Sequence, residues 1–145
     1  MNHLLIALDF SQFSRLVEKV GYAMAKKLNA TVTLVTIVNK FIDYEPIVTG
    51  QVFTDNWEAR QYLANENLAK VNLAHPDIET NVVSFIGDPQ EDIIDLAIKN
   101  HAKFIVIGTH GRTGFTNFLL GSTAEYIIKH STIPVMVVPY KMESH

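Results

Sequence analysis

The stretch KFIVIGTHGRTGFTNFLLGSTAE, residues 103–125, decides the fold because it joins a buried strand to a helix through a glycine-rich loop. Residues 103–108 form an apolar run of the kind that fills a strand buried on both faces. Residues 122–131 are predicted as the helix that follows. A strand that leads through a loop into a helix is half of a βαβ unit, which predicts a parallel sheet.

The same alternation extends over the whole chain. Apolar runs predict strands at residues 3–8, 31–38, 103–108 and 133–138, and an alternating pattern predicts one at 78–86. Helices are predicted at 12–29, 55–74, from 88 onward and at 122–131. This order predicts an α/β fold, a single doubly wound domain over residues 1–145 with a five-stranded parallel sheet flanked by four helices. Ligands of such sheets bind beyond the carboxyl ends of the strands, where the strand order reverses.

Composition narrows the class of protein. Of the 145 residues, 48% are hydrophobic and 19% are charged, and 12 basic and 15 acidic residues give a formal net charge of −3. This profile is typical of a globular domain and excludes collagen-like and disordered chains. Because the chain contains no cysteine, disulfide scaffolds, thiolate metal sites and thiol catalysis are excluded as well.

Membranes and nucleic acids are not expected as partners. The apolar run at residues 4–8 is far shorter than the roughly 20 residues that a membrane-spanning helix needs, so we expect a cytoplasmic protein. Basic and acidic residues are mixed along the chain without a basic stripe, so binding to a phosphate backbone is not expected. The six histidines show no pair at metal-ligand spacing, and no metal site is expected on them.

Local signals mark two helix starts and one irregular segment. Asp88 is the predicted N-cap of the third helix, with Pro89 at its first position and Glu91 reaching back to close a capping box. In the second helix, the predicted inward stripe is Trp57, Ala64, Leu68 and Val71. Residues 39–54 have no clean period and are predicted to form a long loop, which in a compact domain is functional or mobile.

The loop before the fourth helix carries the candidate chemistry. Ser122 is the predicted N-cap, with Glu125 as its capping-box partner, and a helix start of this kind offers N–H groups and partial positive charge to a phosphate. Arg112 and the hydroxyls of Ser122 and Thr123 can add hydrogen bonds to the same anion. The alternative is that the glycines only shape a tight loop and that Ser122 only caps a helix.

The pattern Gly108-x2-Gly111-x9-Gly121-Ser122, placed between the fourth strand and the fourth helix, resembles the nucleotide-binding motif of the universal stress protein family, specifically its ATP-binding branch. The resemblance extends over essentially the whole chain. It includes the opening strand that ends in Asp9-Phe10-Ser11, the turn at residues 87–89 and the closing strand at 133–138.

This resemblance implies ATP as the ligand, with Mg²⁺ on its phosphates. The triphosphate would lie on Gly111, Arg112, Gly121, Ser122 and Thr123. The adenosine end would lie near Asp9, whose carboxylate can accept from ribose hydroxyls, with the Ile37 backbone framing adenine and Gly108 close to the ribose. Two alternatives stay open: Asp9 as a loop or helix-cap charge, and His110 as either a ribose or phosphate contact or a plain loop histidine.

The closing strand predicts an assembly. Residues 133–138 are apolar and terminal in the order, so we expect them at a sheet edge, where an uncovered strand invites pairing. The resemblance implies a homodimer through this strand. The alternative is that residues 141–145 or a loop cover the edge.

The resulting hypothesis is an ATP-binding homodimer that acts as a nucleotide-dependent sensor or regulator in stress adaptation. No catalytic residue is assigned, and slow ATP hydrolysis or self-phosphorylation on Ser122 or Thr123 is the most enzymatic activity expected. The alternative is a nucleotide-independent dimeric interaction module of the same fold, in which the 39–54 loop helps to bind an unidentified protein partner.

Overall fold

The computed structural model describes residues 2–41, 45–46, 53–54, 57–109 and 120–139. Its elements in chain order are β1 His3–Ala7, α1 Ser14–Lys27, β2 Thr31–Asn39, β3 Glu45–Pro46, β4 Phe53–Thr54, α2 Trp57–Ala74, β5 Thr80–Gly87, α3 Pro89–Lys99, β6 Phe104–Gly108, α4 Ser122–His130 and β7 Val135–Val138.

Five strands form one sheet in the order β5-β2-β1-β6-β7, and every neighbouring pair is parallel. The predicted doubly wound α/β fold is confirmed. From β1 the chain moves outward through β2 to β5, and it then returns to the other side of β1 to form β6 and β7. The strand order therefore reverses between β1 and β6, and a ligand cleft is expected at the carboxyl ends of these strands.

Side chains from the two faces of the sheet pack into two separate clusters, as sheets covered by helices on both faces require. Along β1 the side chains alternate, so that Leu4 and Ile6 enter one cluster and Leu5 enters the other. The first cluster includes Leu4, Ile6, Val17, Tyr22, Leu34, Leu68 and Val106, and the second includes Leu5, Val35, Ile93, Ala97, Ile105 and Ile127.

Two features between β2 and β5 differ from the sequence prediction. Within the segment predicted as an irregular loop, β3 and β4 form a short antiparallel pair, because Glu45 pairs with Thr54 and Pro46 with Phe53. The stripe on α2 is also corrected. Trp57 is 39% exposed, whereas Arg60 is only 6% exposed and precedes Ala64 and Leu68 on the inward face at intervals of four residues.

The start of α3 has the predicted N-cap, Asp88, but a different side chain accepts from the backbone N–H of that residue. The Asp88 side chain accepts from the backbone N–H of Gln90 at 2.9 Å, and Pro89 occupies the first turn. The backbone N–H of Asp88 donates to Asp92 Oδ2 at 2.7 Å, so Asp92 closes the cap instead of Glu91. Glu91 lies on the exposed side of the helix, while Asp92 lies one full turn after Asp88 and above it.

No helix in the described ranges is both long and apolar enough to cross a membrane.

Candidate functional site

A cleft of about 280 Å³ lies at the carboxyl ends of β1, β2 and β6. Six of the nine predicted site residues lie in the described part of the chain, and all six line this cleft: Asp9, Ile37, Gly108, Gly121, Ser122 and Thr123. The other three, His110, Gly111 and Arg112, lie outside the described residues. The fold thus brings residues from four distant segments to one place.

Asp9 follows β1 and enters the turn toward α1. Its Oδ1 atom accepts from the backbone N–H of Ser11 at 2.9 Å and from Ser14 Oγ at 3.1 Å. Between Asp9 and Ser11, Phe10 has a φ of 55°, a left-handed conformation that a bulky residue rarely adopts. Asp9 therefore shapes a tight turn at the cleft wall, and its carboxylate is exposed.

The backbone of Ile37 faces the cleft because β2 continues beyond the point where β1 ends. The pairing of these strands ends at Ala7 with Val35, and Leu8 N–H donates to the Val35 carbonyl at 2.9 Å. Backbone groups of alternate residues point to the same neighbour in a parallel ladder. The N–H and C=O of Ile37 therefore point, like those of Val35, toward the side where β1 has already ended.

The start of α4 corrects the predicted cap. Gly121 is the N-cap, because its backbone is extended at φ −63° and ψ 158° and its carbonyl accepts from Glu125 N–H at 3.0 Å. Ser122 is therefore the first residue inside the helix. Glu125 does not form a capping box, since its carboxylate accepts from Lys129 Nζ at 2.8 Å.

No side chain caps α4. The Gly121 N–H donates to the Thr109 carbonyl at 2.6 Å, which ties the helix start to the end of β6. The next backbone N–H groups, those of Ser122 and Thr123, belong to the first turn, where a helix has no internal acceptor for them. Together with the positive end of the helix dipole, they form a surface suited to an anion.

Arg60 also lines the cleft, although it was not predicted from the sequence. One of its terminal nitrogens, Nη2, lies 3.5 Å from the Asn39 carbonyl at the end of β2. Among the described lining residues, Asp9 and Arg60 are the two that carry formal charge. The only sequence signal for Arg60 was its position, four residues before Ala64 in the inward stripe.

No group of three histidine, aspartate or glutamate side chains within the described ranges is arranged to hold a metal ion. The described part of the cleft therefore offers backbone donors, hydroxyls, one carboxylate and one guanidinium. This set can bind a polar, anionic small molecule.

Comparison with known proteins gives a consistent result. The sequence profile described as "Universal stress protein family" matches residues 1–139. The universal stress protein MJ0531 of Methanocaldococcus jannaschii is 33% identical over 141 residues, which cover 93% of this chain and 80% of that protein.

Solved structures share the fold. The universal stress protein UspA from Lactobacillus plantarum superposes with a TM-score of 0.80 at 18% identity, over 94% of this chain and 97% of that one. A universal stress protein in complex with cAMP gives a TM-score of 0.70 at 18% identity, over 94% and 96% of the two chains. The Archaeoglobus fulgidus protein in complex with dAMP gives 0.66 at 21% identity, again over 94% and 96%. The profile match over nearly the whole chain shows that it belongs to the universal stress protein family.

Proposed function

We propose that this protein binds ATP in the cleft and acts as a nucleotide-dependent sensor or regulator in stress adaptation. The observation that carries the proposal is the start of α4, where backbone N–H groups meet the cleft and no side chain caps the helix. An uncapped helix start beside a cleft is suited to phosphate. Two relatives of this fold are described in complex with cAMP and dAMP, which supports an adenine nucleotide as the class of ligand.

The phosphates are proposed to lie against the first turn of α4. There the N–H groups of Ser122 and Thr123 and their hydroxyls would donate to phosphate oxygens. Gly111 and Arg112 remain sequence-based candidates for the same phosphates. Mg²⁺ would be carried on the triphosphate, where it would neutralise part of the negative charge.

The base is proposed to lie at the end of β2. Adenine offers both donors and acceptors at its edge, which matches the paired N–H and C=O of Ile37 facing the cleft. The ribose would then lie between the base and the phosphates, near Asp9 and Gly108. His110 remains a candidate contact to the ribose or phosphate.

Asp9→Asn separates the role of Asp9 in the turn from its proposed role in binding the ribose. Asparagine keeps a side-chain oxygen that can accept from Ser11 N–H and Ser14 Oγ, so we expect the turn and the melting temperature to persist. A hydrogen bond from ribose to a charged acceptor would weaken, and we expect affinity for ATP to fall roughly 10-fold by calorimetry. Asp77→Asn, at an exposed carboxylate outside the cleft, is the matched control. Unchanged ATP affinity in Asp9→Asn would leave Asp9 with only its role in the turn.

A thermal-shift series with ATP, AMP and cAMP in the presence of Mg²⁺ tests the proposed function. ATP at 100 times its dissociation constant is expected to raise the melting temperature by roughly 5–10 °C. AMP and cAMP should raise it less at equal concentration, because they bring fewer phosphate oxygens to α4. Equal shifts for all three would contradict the proposed phosphate site, and no shift at all would favour the nucleotide-independent interaction module.

We also propose a homodimer through β7, one of the two edges of the sheet. The other edge, β5, is contacted by α2. The Glu79 carbonyl, just before β5, accepts from β2, and the Gly87 carbonyl accepts from Lys40 N–H. Backbone groups of alternate residues point to the same side of a strand, so the Ser84 carbonyl points away from β2. There it accepts from Gln61 Nε2 at 3.2 Å. Because α2 occupies this outward acceptor of β5, we propose β7 as the edge that pairs with another chain.

Val137→Pro tests this dimer. The carbonyls of Pro134 and Val138 accept from β6, so by alternation the N–H of Val137 faces away from β6. Proline removes this N–H, and edge strands tolerate proline at outward-facing positions. We expect light scattering to give twice the 16.3 kDa chain mass for the unaltered protein and a single chain mass for Val137→Pro. Val137→Ala keeps the N–H and should stay dimeric. A monomeric unaltered protein at micromolar concentration would contradict the proposal.

A further inference from the structure

Arg60 occupies a position where the fold calls for an apolar side chain. It is 6% exposed and lies on the same face of α2 as Ala64, Leu68 and Val71, which are all buried. Burial of a guanidinium is costly, because the charged group loses contact with water. Arginine residues are almost never fully buried unless they are paired, and Arg60 lies at the cleft wall.

Arg60 lies at the opposite end of the cleft from α4. It contacts the Asn39 carbonyl at the end of β2, and α2 packs on β2 and β5. Gly108, at the end of β6, is separated from β2 by β1. Two strand spacings amount to roughly 10 Å, so a ligand with its phosphates at α4 would direct its base toward Arg60.

The chemistry of the side chain restricts what it can recognise. A guanidinium carries five N–H donors in a plane and no acceptor, and it stays charged at any physiological pH. It can therefore donate to ring nitrogens or carbonyl oxygens of a base. With the ribose and phosphates held in place, a purine extends further from the ribose than a pyrimidine does, and both purines offer the ring nitrogen N7 as an acceptor, which pyrimidines lack.

We propose that Arg60 closes the base end of the cleft and selects purine over pyrimidine nucleotides. The inference rests on the proposed nucleotide binding and adds to it a residue that determines base specificity. It assigns to α2 a role in ligand recognition beyond its packing on the sheet.

The test compares four ligands that share ribose and triphosphate and differ only in the base. Dissociation constants for ATP, GTP, CTP and UTP with Mg²⁺ are measured on the unaltered protein, on Arg60→Gln and on the control Arg15→Gln, an exposed arginine of α1 outside the cleft. We expect the unaltered protein and the control to favour the purine nucleotides by roughly 10-fold or more, the effect of a hydrogen bond from a charged donor. In Arg60→Gln this preference should disappear, while affinity for CTP and UTP hardly changes.

Other results would overturn the inference. A parallel loss for all four nucleotides would assign Arg60 to the phosphates or to the fold, and an unchanged purine preference would remove it from recognition altogether. If Arg60→Gln does not fold, Arg60→Lys, which keeps the charge but loses the planar donor set, is measured in the same way. Failure of all four nucleotides to bind the unaltered protein would instead overturn the proposed function, and this inference with it.

Discussion

Gly121→Val is expected to weaken ATP binding by at least about 100-fold, the loss of one or two hydrogen bonds to a charged group. At Gly121 the backbone has a φ of −63° and a ψ of 158°, a conformation open to any residue, so the substitution does not strain the chain. Its effect is local. A branched side chain at the N-cap would stand in front of the first-turn N–H groups and keep phosphate oxygens away from them.

The control for this variant is Gly121→Ala, which adds one methyl group at the same place and should cause a smaller loss. Calorimetry gives the affinities, and circular dichroism verifies that both variants fold. ATP binding to Gly121→Val with normal affinity would place the phosphates elsewhere. Binding of a protein partner that survives this substitution would favour the interaction module as the primary function.

Leu34→Ala is expected to lower the free energy of unfolding by about 2–5 kcal/mol. Leu34 is fully buried in the middle of β2, within the first of the two core clusters. Shortening the side chain removes buried apolar contacts and leaves a cavity that a tightly packed interior closes only in part. Urea denaturation measures the loss.

Leu73→Ala is the matched control. Leu73 lies near the end of α2 and is 80% exposed, so its truncation should change the free energy of unfolding by less than about 0.5 kcal/mol. Equal losses in the two leucine variants would contradict the assignment of the core. The comparison also measures how strongly β2 depends on packing, which matters because β2 carries the proposed base contact at Ile37.

The five-stranded sheet could be predicted from the sequence because four strands are largely apolar runs, the strand at 78–86 shows an alternating pattern, and each crossover is long enough for a helix. The location of the site could be predicted from the parallel arrangement of these strands. Carboxyl ends of parallel strands share one edge, so the residues after β1 and β6 had to meet there. The β3–β4 pair was missed because strands of two residues carry no periodic signal.

The details of the site depended on tertiary context. Arg60 was not predicted because a charged residue in an amphipathic helix is normally assigned to the solvent face. Here its side chain is buried at the cleft wall. The N-cap of α4 was misplaced by one residue. Serine is a common N-cap, but the hydrogen bond from Gly121 N–H to the Thr109 carbonyl fixes the glycine at that position. The interaction that closes α3 differs for a similar reason, since Asp92 and Asp88 lie on the same side of the helix.

Occupation of the cleft by ATP is the central claim, and calorimetric titration of the purified protein with ATP and Mg²⁺ tests it most directly. We expect saturable binding of one ATP per chain, weakened by at least about 100-fold in Gly121→Val. No detectable heat of binding at millimolar ATP would contradict it and would favour the nucleotide-independent interaction module.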